Sequence, residues 1–268
     1  MTYGIIKQGS KYTKDYKVYL TKDGKIISPW HDVKLKIDSE VYNVVIEIPR
    51  FTNGKFEIDK KEEMNAIKQD FKKGEVRFIH NVYPYKGFPF NYGALPQTFE
   101  DPSIIDEQFK TCGDDDPLDF VEIGSVNHEI GDVVQVKILG CLCFIDNNET
   151  DYKIIGIDIN DKLASSINSM EDVDVHMPGI TSGIISFFKN YKIPDGKPEG
   201  IFGRDGKFLS VEESKEIISE NYKSYLKLIE NGHKDFSLKT SDESKLSLKN
   251  EECKDANVPD YVSSFYFI

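Results

Sequence analysis

Residues 112 to 124 read Cys-Gly-Asp-Asp-Asp-Pro-Leu-Asp-Phe-Val-Glu-Ile-Gly, with aspartates at positions 114, 115, 116 and 119. The apolar run at 118 to 123 predicts a strand directly after them. Carboxylates this close repel one another, and a bound Mg²⁺ or Ca²⁺ ion, which prefers oxygen ligands, would remove that repulsion. The spacing therefore indicates a metal site, and an acidic solvated loop is the alternative.

Strand patterns precede helix patterns along the chain. Strands are predicted at 15 to 27, 32 to 37, 41 to 49 and 74 to 79, and Asn53-Gly54 predicts a hairpin turn. The aromatic segment 83 to 99 is broken by three prolines, which excludes a helix. Helices are predicted at 179 to 191 and at 211 to 231, the second with Ser210 and Glu213 at capping-box spacing and a buried stripe at Val211, Ile218, Tyr222, Tyr225 and Ile229. This order predicts an antiparallel β structure with helices packed outside it.

A second hairpin carries a second pair of carboxylates. Residues 133 to 145 and 152 to 159 are apolar and β-branched, and a loop at 147 to 150 joins them. Asp146 and Asp151 are expected to face each other across the mouth of that loop, where they would repel unless a cation lay between them. The alternative is a pair of ordinary turn-forming aspartates.

Composition limits the compartment and the partners. The chain of 268 residues has a net charge of −12, which disfavours binding to duplex nucleic acid. It has neither an apolar run long enough to span a bilayer nor a signal-peptide core at its N-terminus. Its four cysteines lack CxxC spacing, so we expect reduced thiols and a cytoplasmic protein.

Cations and phenols complement the carboxylates. Lysine, arginine and tyrosine bind phosphoryl oxygens, whereas carboxylates bind metals. A pocket that combined both groups would suit a small phosphate anion carried as its magnesium complex. The candidates are Asp114, Asp116, Asp119, Asp146, Asp151, Lys55, Arg77, Lys153, Lys192, Tyr92 and Tyr191.

Several motifs occur in an order that resembles the family I soluble inorganic pyrophosphatases. Beside the aspartate run these are Glu-Ile-Pro-Arg-Phe-Thr-Asn-Gly-Lys-Phe-Glu at 47 to 57, Asn-Tyr-Gly-Ala at 91 to 94, Pro-Gln-Thr-Phe-Glu-Asp-Pro at 96 to 102, the segment 146 to 153, and Tyr-Lys-Ile-Pro-Asp-Gly-Lys-Pro at 191 to 198. Ser-Pro-Trp-His-Asp at 28 to 32 resembles the eukaryotic-type branch. The resemblance covers roughly residues 15 to 230.

The resemblance implies a fold and a reaction. The fold would be mainly β with flanking helices (α+β), built on an OB-like five-stranded β-barrel core. The reaction would be Mg²⁺-dependent hydrolysis of pyrophosphate to two orthophosphates. Residues 1 to 232 would form a single pyrophosphatase domain, and 233 to 268 a polar C-terminal extension whose apolar end docks on the body or on a second subunit.

The resemblance also implies a role for each site residue. Asp114, Asp119 and Asp151 would hold one metal, Asp119 would bridge to a second, Asp146 and Asp151 would serve further metals, and Glu57 would belong to the outer acidic shell. Arg77, Tyr191 and Lys192 would bind one phosphoryl group, and Lys55 and Tyr92 the other. Lys153 would stabilise charge at the reacting centre, Glu47 would line the cavity, and Asp116 would be the general base.

Two further expectations concern Phe88 and the oligomer. Phe88 stands where the family usually has a tyrosine that contacts the catalytic carboxylates, so we predict a perturbed pH profile, with Tyr85 or water standing in for the missing hydroxyl. Arg50 and Phe51 match dimer-contact positions of eukaryotic-type members, which predicts a homodimer.

Two other functions are alternatives to pyrophosphate hydrolysis. A metal-dependent hydrolase of nucleotides or polyphosphates would use the same residue types. An OB-like module that binds single-stranded nucleic acid could use the aromatic segment 83 to 99 as a stacking platform, although the acidic net charge argues against it.

Overall fold

Strands make up most of the regular structure. The computed structural model describes residues 2–106 and 109–268. Within them the strands are β1 (Tyr3–Gln8), β2 (Lys17–Lys22), β3 (Lys25–Ile27), β4 (Val41–Ile48), β5 (Phe56–Ile58), β6 (Ile67–Gln69), β7 (Phe71–Lys72), β8 (Glu75–Val76), β9 (Asn81–Val82), β10 (Asn91–Ala94), β11 (Cys112–Gly113), β12 (Asp119–Glu122), β13 (Val133–Asp146), β14 (Glu149–Asp158), β15 (Ile201–Phe202) and β16 (Phe265–Tyr266). The helices are α1 (Met170–His176), α2 (Ile180–Asn190) and α3 (Val211–Asn231).

Five strands close into a ring in the order β14, β12, β10, β4 and β13, and β13 pairs again with β14. The long β13 closes the ring because its first part pairs with β4 while β14 runs along most of its length. A register shift between Ile138 and Gly140 marks a bulge that bends the strand. The expected five-stranded OB-like barrel in a mainly β protein with flanking helices is confirmed.

Alternation along the strands builds the core. In β4, alternation sends Val44 and Ile46 into one apolar cluster and Val45 into another, and a register shift opposite Tyr92 and Gly93 lets Ile48 join the cluster of Val45. Gly93 of β10 allows the close approach of β4, because a Cβ at this position would lie 2.0 Å from the carbonyl oxygen of Val45. Both faces of β4 are therefore buried, which fits its nearly continuous apolar sequence.

The helices follow the predicted bounds closely, but one apolar stripe differs. In α3, Ser210 accepts from the Glu213 N–H, and Glu213 caps Ser210 in return, which confirms the capping box. The buried apolar side chains of α3 are Ile218, Tyr225 and Leu228, while Tyr222 and Ile229 are exposed. The prediction of this stripe was therefore wrong in part, because the buried face of α3 is rotated by part of a helical turn from the predicted face. Helix α1 was not predicted.

Two predicted local structures are absent from the described residues. Residues 32 to 37 form only one isolated bridge, between Lys36 and Tyr42, so they are not a strand. Asn53-Gly54 does not close a hairpin, because β5 pairs with β6 in a separate sheet and Gly54 bridges Phe78. Pairing between segments that are distant in sequence determines the local structure at both places. The strand predicted at 74 to 79 is reduced to Glu75–Val76.

The C-terminal extension lies along the body. Its backbone N–H groups at Ser237, Glu251 and Ala256 donate to the carbonyls of Lys60, Lys7 and Lys11 at 2.8 to 2.9 Å. Leu246 and Leu248 pack against a small apolar cluster that includes Tyr19 and Met64. The final strand, β16, pairs in parallel with β9. Within residues 2–106 and 109–268, every helix is too short or too polar to cross a bilayer.

Candidate functional site

A polar cleft of about 190 Å³ contains every side chain that the sequence analysis assigned to the site. The polar side chains that line it are Glu47, Lys55, Glu57, Arg77, Tyr92, Asp114, Asp116, Asp119, Asp146, Glu149, Asp151, Lys153, Tyr191 and Lys192. These residues come from segments spread over almost 150 positions of sequence. The tertiary fold therefore brings the side chains that were predicted to bind metal and phosphate to one place.

The hairpin of β13 and β14 supplies one wall of the cleft. Its turn contains only Asn147 and Asn148, both with positive φ, so Asp146 pairs with Glu149. Asp151 pairs with Phe144 instead, which corrects the expectation that Asp146 and Asp151 face each other directly. The period of two residues still puts Glu149, Asp151 and Lys153 on the cleft side.

The aspartate run forms a tight loop before β12. Asp115 has a φ of 71°, a conformation that aspartate tolerates better than most residues. The Asp116 N–H donates to Oδ1 of Asp114 at 3.1 Å. Lys60, which the sequence analysis missed, contacts Asp116 at 2.6 Å and Asp115 at 3.2 Å. The loop thus presents Asp114 and Asp116 to the cleft, whereas Asp115 is absent from its lining.

Lys153 lies at the centre of the site. Its ammonium contacts the carboxylates of Asp119 and Asp151 and lies 2.9 Å from the hydroxyl of Tyr92, which itself donates to Asp119. Burial lowers the pKa of Lys153, but the two carboxylates more than offset this, so its pKa lies well above the usual range. Lys153 therefore remains a cation in a buried position.

Further cations surround the cleft. Lys55 lies 2.5 Å from Glu57, Arg77 lies 2.9 Å from Asp70, and Lys192 contacts Asp146. Each cation is paired with a carboxylate at the cleft or beside it. The phosphate oxygens of an incoming substrate would replace these carboxylates as hydrogen-bond acceptors, while the cationic side chains would stay in position.

The carboxylates are crowded enough to need a cation. Burial and then the Asp151 carboxylate raise the pKa of Asp114 well above its usual range. Burial raises the pKa of Asp151 to about 7, with Lys153 opposing and Asp119 adding to the rise. Burial and the Asp119 carboxylate raise the pKa of Glu47 as well. Hard oxygen donors in this density fit a divalent ion such as Mg²⁺.

One acidic cluster has the dimensions of a metal site. Carboxylate oxygens of Glu100, Asp114 and Asp151 all lie within 4.8 Å of one another. Glu100 belongs to the run at 96 to 102 that carried the family resemblance, but the sequence analysis gave it no role. Glu149 and Lys60 were missed for a different reason, since single charged residues carry no local signal of a site.

The aromatic segment does not form an exposed platform. Phe88, Phe90 and Phe99 are buried in the main core, and their rings pack with Tyr92, Phe187 and Trp30. Bases need exposed ring faces for stacking. The nucleic-acid module is therefore disfavoured.

Phe88 lines the cleft, whereas Tyr85 lines a separate groove on the other side of the segment. The expectation that Tyr85 stands in for the missing family hydroxyl is therefore wrong, because the two side chains point to different pockets. The ring of Phe88 packs 5.2 Å from that of Tyr92.

Comparisons with known proteins agree with this geometry. The family profile described as inorganic pyrophosphatase matches residues 44–226. The chain is 46% identical to the inorganic pyrophosphatase of Emericella nidulans over 231 residues, which are 85% of this chain and 80% of the relative. It is 43% identical to that of Candida glabrata over 266 residues, which are 98% of this chain and 90% of the relative.

A solved structure shares the whole fold. The inorganic pyrophosphatase from Schistosoma japonicum matches with a TM-score of 0.93 and 39% sequence identity, covering 99% of this chain and 100% of that chain. The profile spans more than half of the sequence, and the relatives align over most of their length. The chain therefore belongs to the inorganic pyrophosphatase family.

Proposed function

We propose that the cleft hydrolyses pyrophosphate as a magnesium complex, with Asp116 as the general base. Membership of the family makes the protein a hydrolase that cleaves pyrophosphate into two orthophosphates. The proposed metal dependence and residue roles are supported above all by one observation. Carboxylates lie together with Lys55, Arg77, Lys153 and Lys192 in one cleft. A pocket for a neutral or singly charged substrate would not need so many charges of both signs.

The proposed metal ligands are the cleft carboxylates. Asp114, Asp119 and Asp151 would hold one Mg²⁺ ion, Asp146 and Asp151 would serve others, and Glu57 would lie in the outer acidic shell. When bound, such ions supply Lewis acidity toward water and neutralise phosphate oxygens. The closeness of half-buried Asp114 to buried Asp151 supports this assignment, because carboxylates gathered away from water are costly without enough compensating positive charge.

The cationic side chains would bind the substrate in two groups. Arg77, Tyr191 and Lys192 would bind one phosphoryl group, and Lys55 and Tyr92 the other. Charge-assisted hydrogen bonds of this kind orient the bridging oxygen and stabilise charge on the equatorial oxygens of the transition state. Lys153, held by Asp119 and Asp151, would stabilise charge at the reacting centre.

Asp116 would accept the proton of the attacking water. The water oxygen forms a bond to one phosphorus, the bond from that phosphorus to the bridging oxygen breaks, and two orthophosphates leave. The carboxylate of Asp116 is half exposed in the cleft, and its contact with Lys60 fixes its orientation. Glu47 lines the cavity and accepts the Ile58 N–H at 2.7 Å, so it would act as a fixed wall of the site.

Phosphate release provides the test. We expect rapid release from pyrophosphate with Mg²⁺, none with EDTA, inhibition by Ca²⁺, and little release from ATP. Asp116→Asn should lower kcat by about 10²- to 10⁴-fold. Asp115→Asn is the matched control, because Asp115 shares the loop and the Lys60 contact but does not line the cleft. Equal losses in both variants, or faster release from ATP, would overturn the proposal.

Further proposals concern the whole chain. Residues 1–232, which include positions outside the described residues, would be the catalytic domain, with 233–268 as an extension wrapped on it. A homodimer in the cytoplasm would bury Phe51, which is 51% exposed beside the half-buried Arg50, and free cysteines suit that compartment. Sedimentation of the purified chain and of Phe51→Asp would test the dimer, and cell fractionation would test the compartment.

A further inference from the structure

Glu100 differs from the other described carboxylates near the site because one of its buried oxygens has no hydrogen-bond partner. Its side chain is only 4% exposed, although ionisable side chains are rarely buried without a partner. Its Oε1 accepts the Tyr152 N–H at 3.2 Å. Its Oε2 is buried and, within the described part of the chain, has no hydrogen-bond partner.

The backbone fixes Glu100 to both segments that carry the cleft carboxylates. The Glu100 N–H donates to the Asp116 carbonyl at 2.9 Å, and the Glu100 carbonyl accepts the Asp115 N–H at 3.0 Å. Gly113 allows this approach, because a Cβ there would lie 2.4 Å from the Glu100 carbonyl. The Tyr152 N–H that binds Oε1 lies between Asp151 and Lys153 in sequence. Glu100 is thus held between the aspartate loop and β14.

The carboxylate oxygens of this cluster are close enough together to reach one ion. Oxygens of Glu100, Asp114 and Asp151 all lie within 4.8 Å of one another. Two oxygens on opposite sides of a cation are separated by about 4.2 Å for Mg²⁺ and up to about 4.8 Å for Ca²⁺, since the bond lengths are about 2.1 and 2.4 Å. Oε2 of Glu100, one of the buried oxygens without a partner among the described residues, belongs to a residue that contributes to this cluster.

We propose that Glu100 is a further ligand of the divalent cation held by Asp114 and Asp151, approaching it from the buried side. This inference rests on the proposed function, since it adds a ligand to the metal site proposed there. Asp114 and Asp151 line the cleft that would receive the substrate, whereas Glu100 is absent from that lining, so it would approach the ion from the protein side. Its partnerless oxygen would then be satisfied by the ion.

Manganese binding to the substrate-free protein tests this ligand directly. Mn²⁺ is titrated into the full chain while electron paramagnetic resonance follows the free ion, and thermal unfolding is recorded with EDTA and with Mn²⁺. We expect Glu100→Gln, which keeps the size of the side chain but removes its charge, to weaken the tightest site by about tenfold or more, because even outer-shell changes cost 10- to 100-fold. The Mn²⁺-induced rise in Tm should shrink in parallel.

Two other variants make the result specific. Glu100→Asp keeps the charge on a shorter side chain, so it should weaken binding less than Glu100→Gln and serves if the glutamine variant does not fold. Glu122→Gln is the matched control, because Glu122 is equally buried but bonds Asn91 and Gly124 away from the cluster. It should leave Mn²⁺ affinity unchanged.

The outcomes separate this inference from the proposed function. Suppose that the wild type hydrolyses pyrophosphate and that Glu100→Gln binds Mn²⁺ as tightly as the wild type. Only the ligand role of Glu100 would then be overturned, because removal of its charge would have had no effect on the bound ion. A wild type that neither binds Mn²⁺ nor releases phosphate would overturn the proposed function. Equal loss of affinity in Glu122→Gln would also reject a specific role for Glu100.

Discussion

The side-chain nitrogen of Lys153 lies 2.9 Å from the phenol oxygen of Tyr92, and both groups contact the same carboxylate, that of Asp119. Lys153 is 2% exposed and also contacts Asp151. One ammonium therefore compensates two carboxylates. Under the proposed function, bound metal ions would stabilise the same set of charges.

Removal of this ammonium should make stability depend strongly on metal. Breaking a buried ion pair costs about 3 to 5 kcal/mol, because a charge is left without its partner. We expect Lys153→Met to lower the free energy of unfolding by about 3 kcal/mol in EDTA, and by clearly less with saturating Mg²⁺. Urea unfolding in both buffers measures the difference. Lys137→Met is the control, because Lys137 does not line the cleft. Its free energy of unfolding should fall by the same small amount in EDTA and in Mg²⁺. If Lys153→Met also lost the same free energy in both buffers, the prediction would be contradicted.

A hydroxyl at position 88 should shift the pH dependence of the reaction. Phe88 lines the cleft, so Phe88→Tyr would bring a donor to its wall. Hydrogen bonds to ionised groups contribute about 1.5 to 3 kcal/mol and favour the ionised form. The acidic limb of the pH–rate profile should therefore move to lower pH. Phe90→Tyr is the control, since Phe90 is absent from the cleft lining and should leave the profile in place. An unchanged profile for Phe88→Tyr would refute the prediction.

His31 should make the protein less stable in mild acid. Burial lowers the pKa of His31 to about 4, and its ring nitrogens bond the Tyr225 hydroxyl and the Ser237 carbonyl at 2.9 and 3.1 Å. Between pH 4 and the unfolded pKa near 6.5, the unfolded chain binds a proton that the folded chain does not. Stability should therefore fall by about 3 kcal/mol as pH falls through this window.

Chemical denaturation of the wild type and His31→Gln at several pH values measures this contribution. The stability difference between the two proteins should be largest near pH 7 and should shrink toward pH 4, because the variant has no imidazole to protonate. A constant difference between wild type and His31→Gln across the window would exclude the assignment.

The C-terminal tail should influence substrate affinity through His80. The ring of Tyr261 stacks on His80 at 4.1 Å, and Nε2 of His80 lies 3.8 Å from Asp195. Asp195 belongs to the turn that directly follows Tyr191 and Lys192. A stacked pair contributes about 0.5 to 1.5 kcal/mol, so Tyr261→Ala should raise the KM for pyrophosphate by about two- to tenfold with a smaller effect on kcat.

Ile268→Ala is the control for this tail effect. Ile268 is exposed in the same tail and lies seven positions after Tyr261, outside the stacked pair of His80 and Tyr261. It should leave KM unchanged. If Tyr261→Ala also kept the wild-type KM, the tail would have no part in positioning the residues that bind phosphate.

Features that depend on the local order of residues could be predicted from the amino-acid sequence alone. These contiguous features are the aspartate run, the capping box at Ser210 and Glu213, the two strands of the long hairpin and the family motifs. Most of the polar side chains that line the cleft could therefore be predicted before any fold was known, but Glu149 could not. Turn chemistry and periodicity act over a few residues, and the printed sequence contains that information.

Features that depend on pairing between distant segments became clear only from the folded chain. A two-residue turn set the register that puts Asp146 opposite Glu149, and β6 rather than β4 took β5 as its partner. The fold likewise brought Lys60 to Asp116 and enclosed Glu100 beside Asp114 and Asp151. Strand register and burial are set by non-local packing, so a single charged residue gives no local sign of where its side chain will lie.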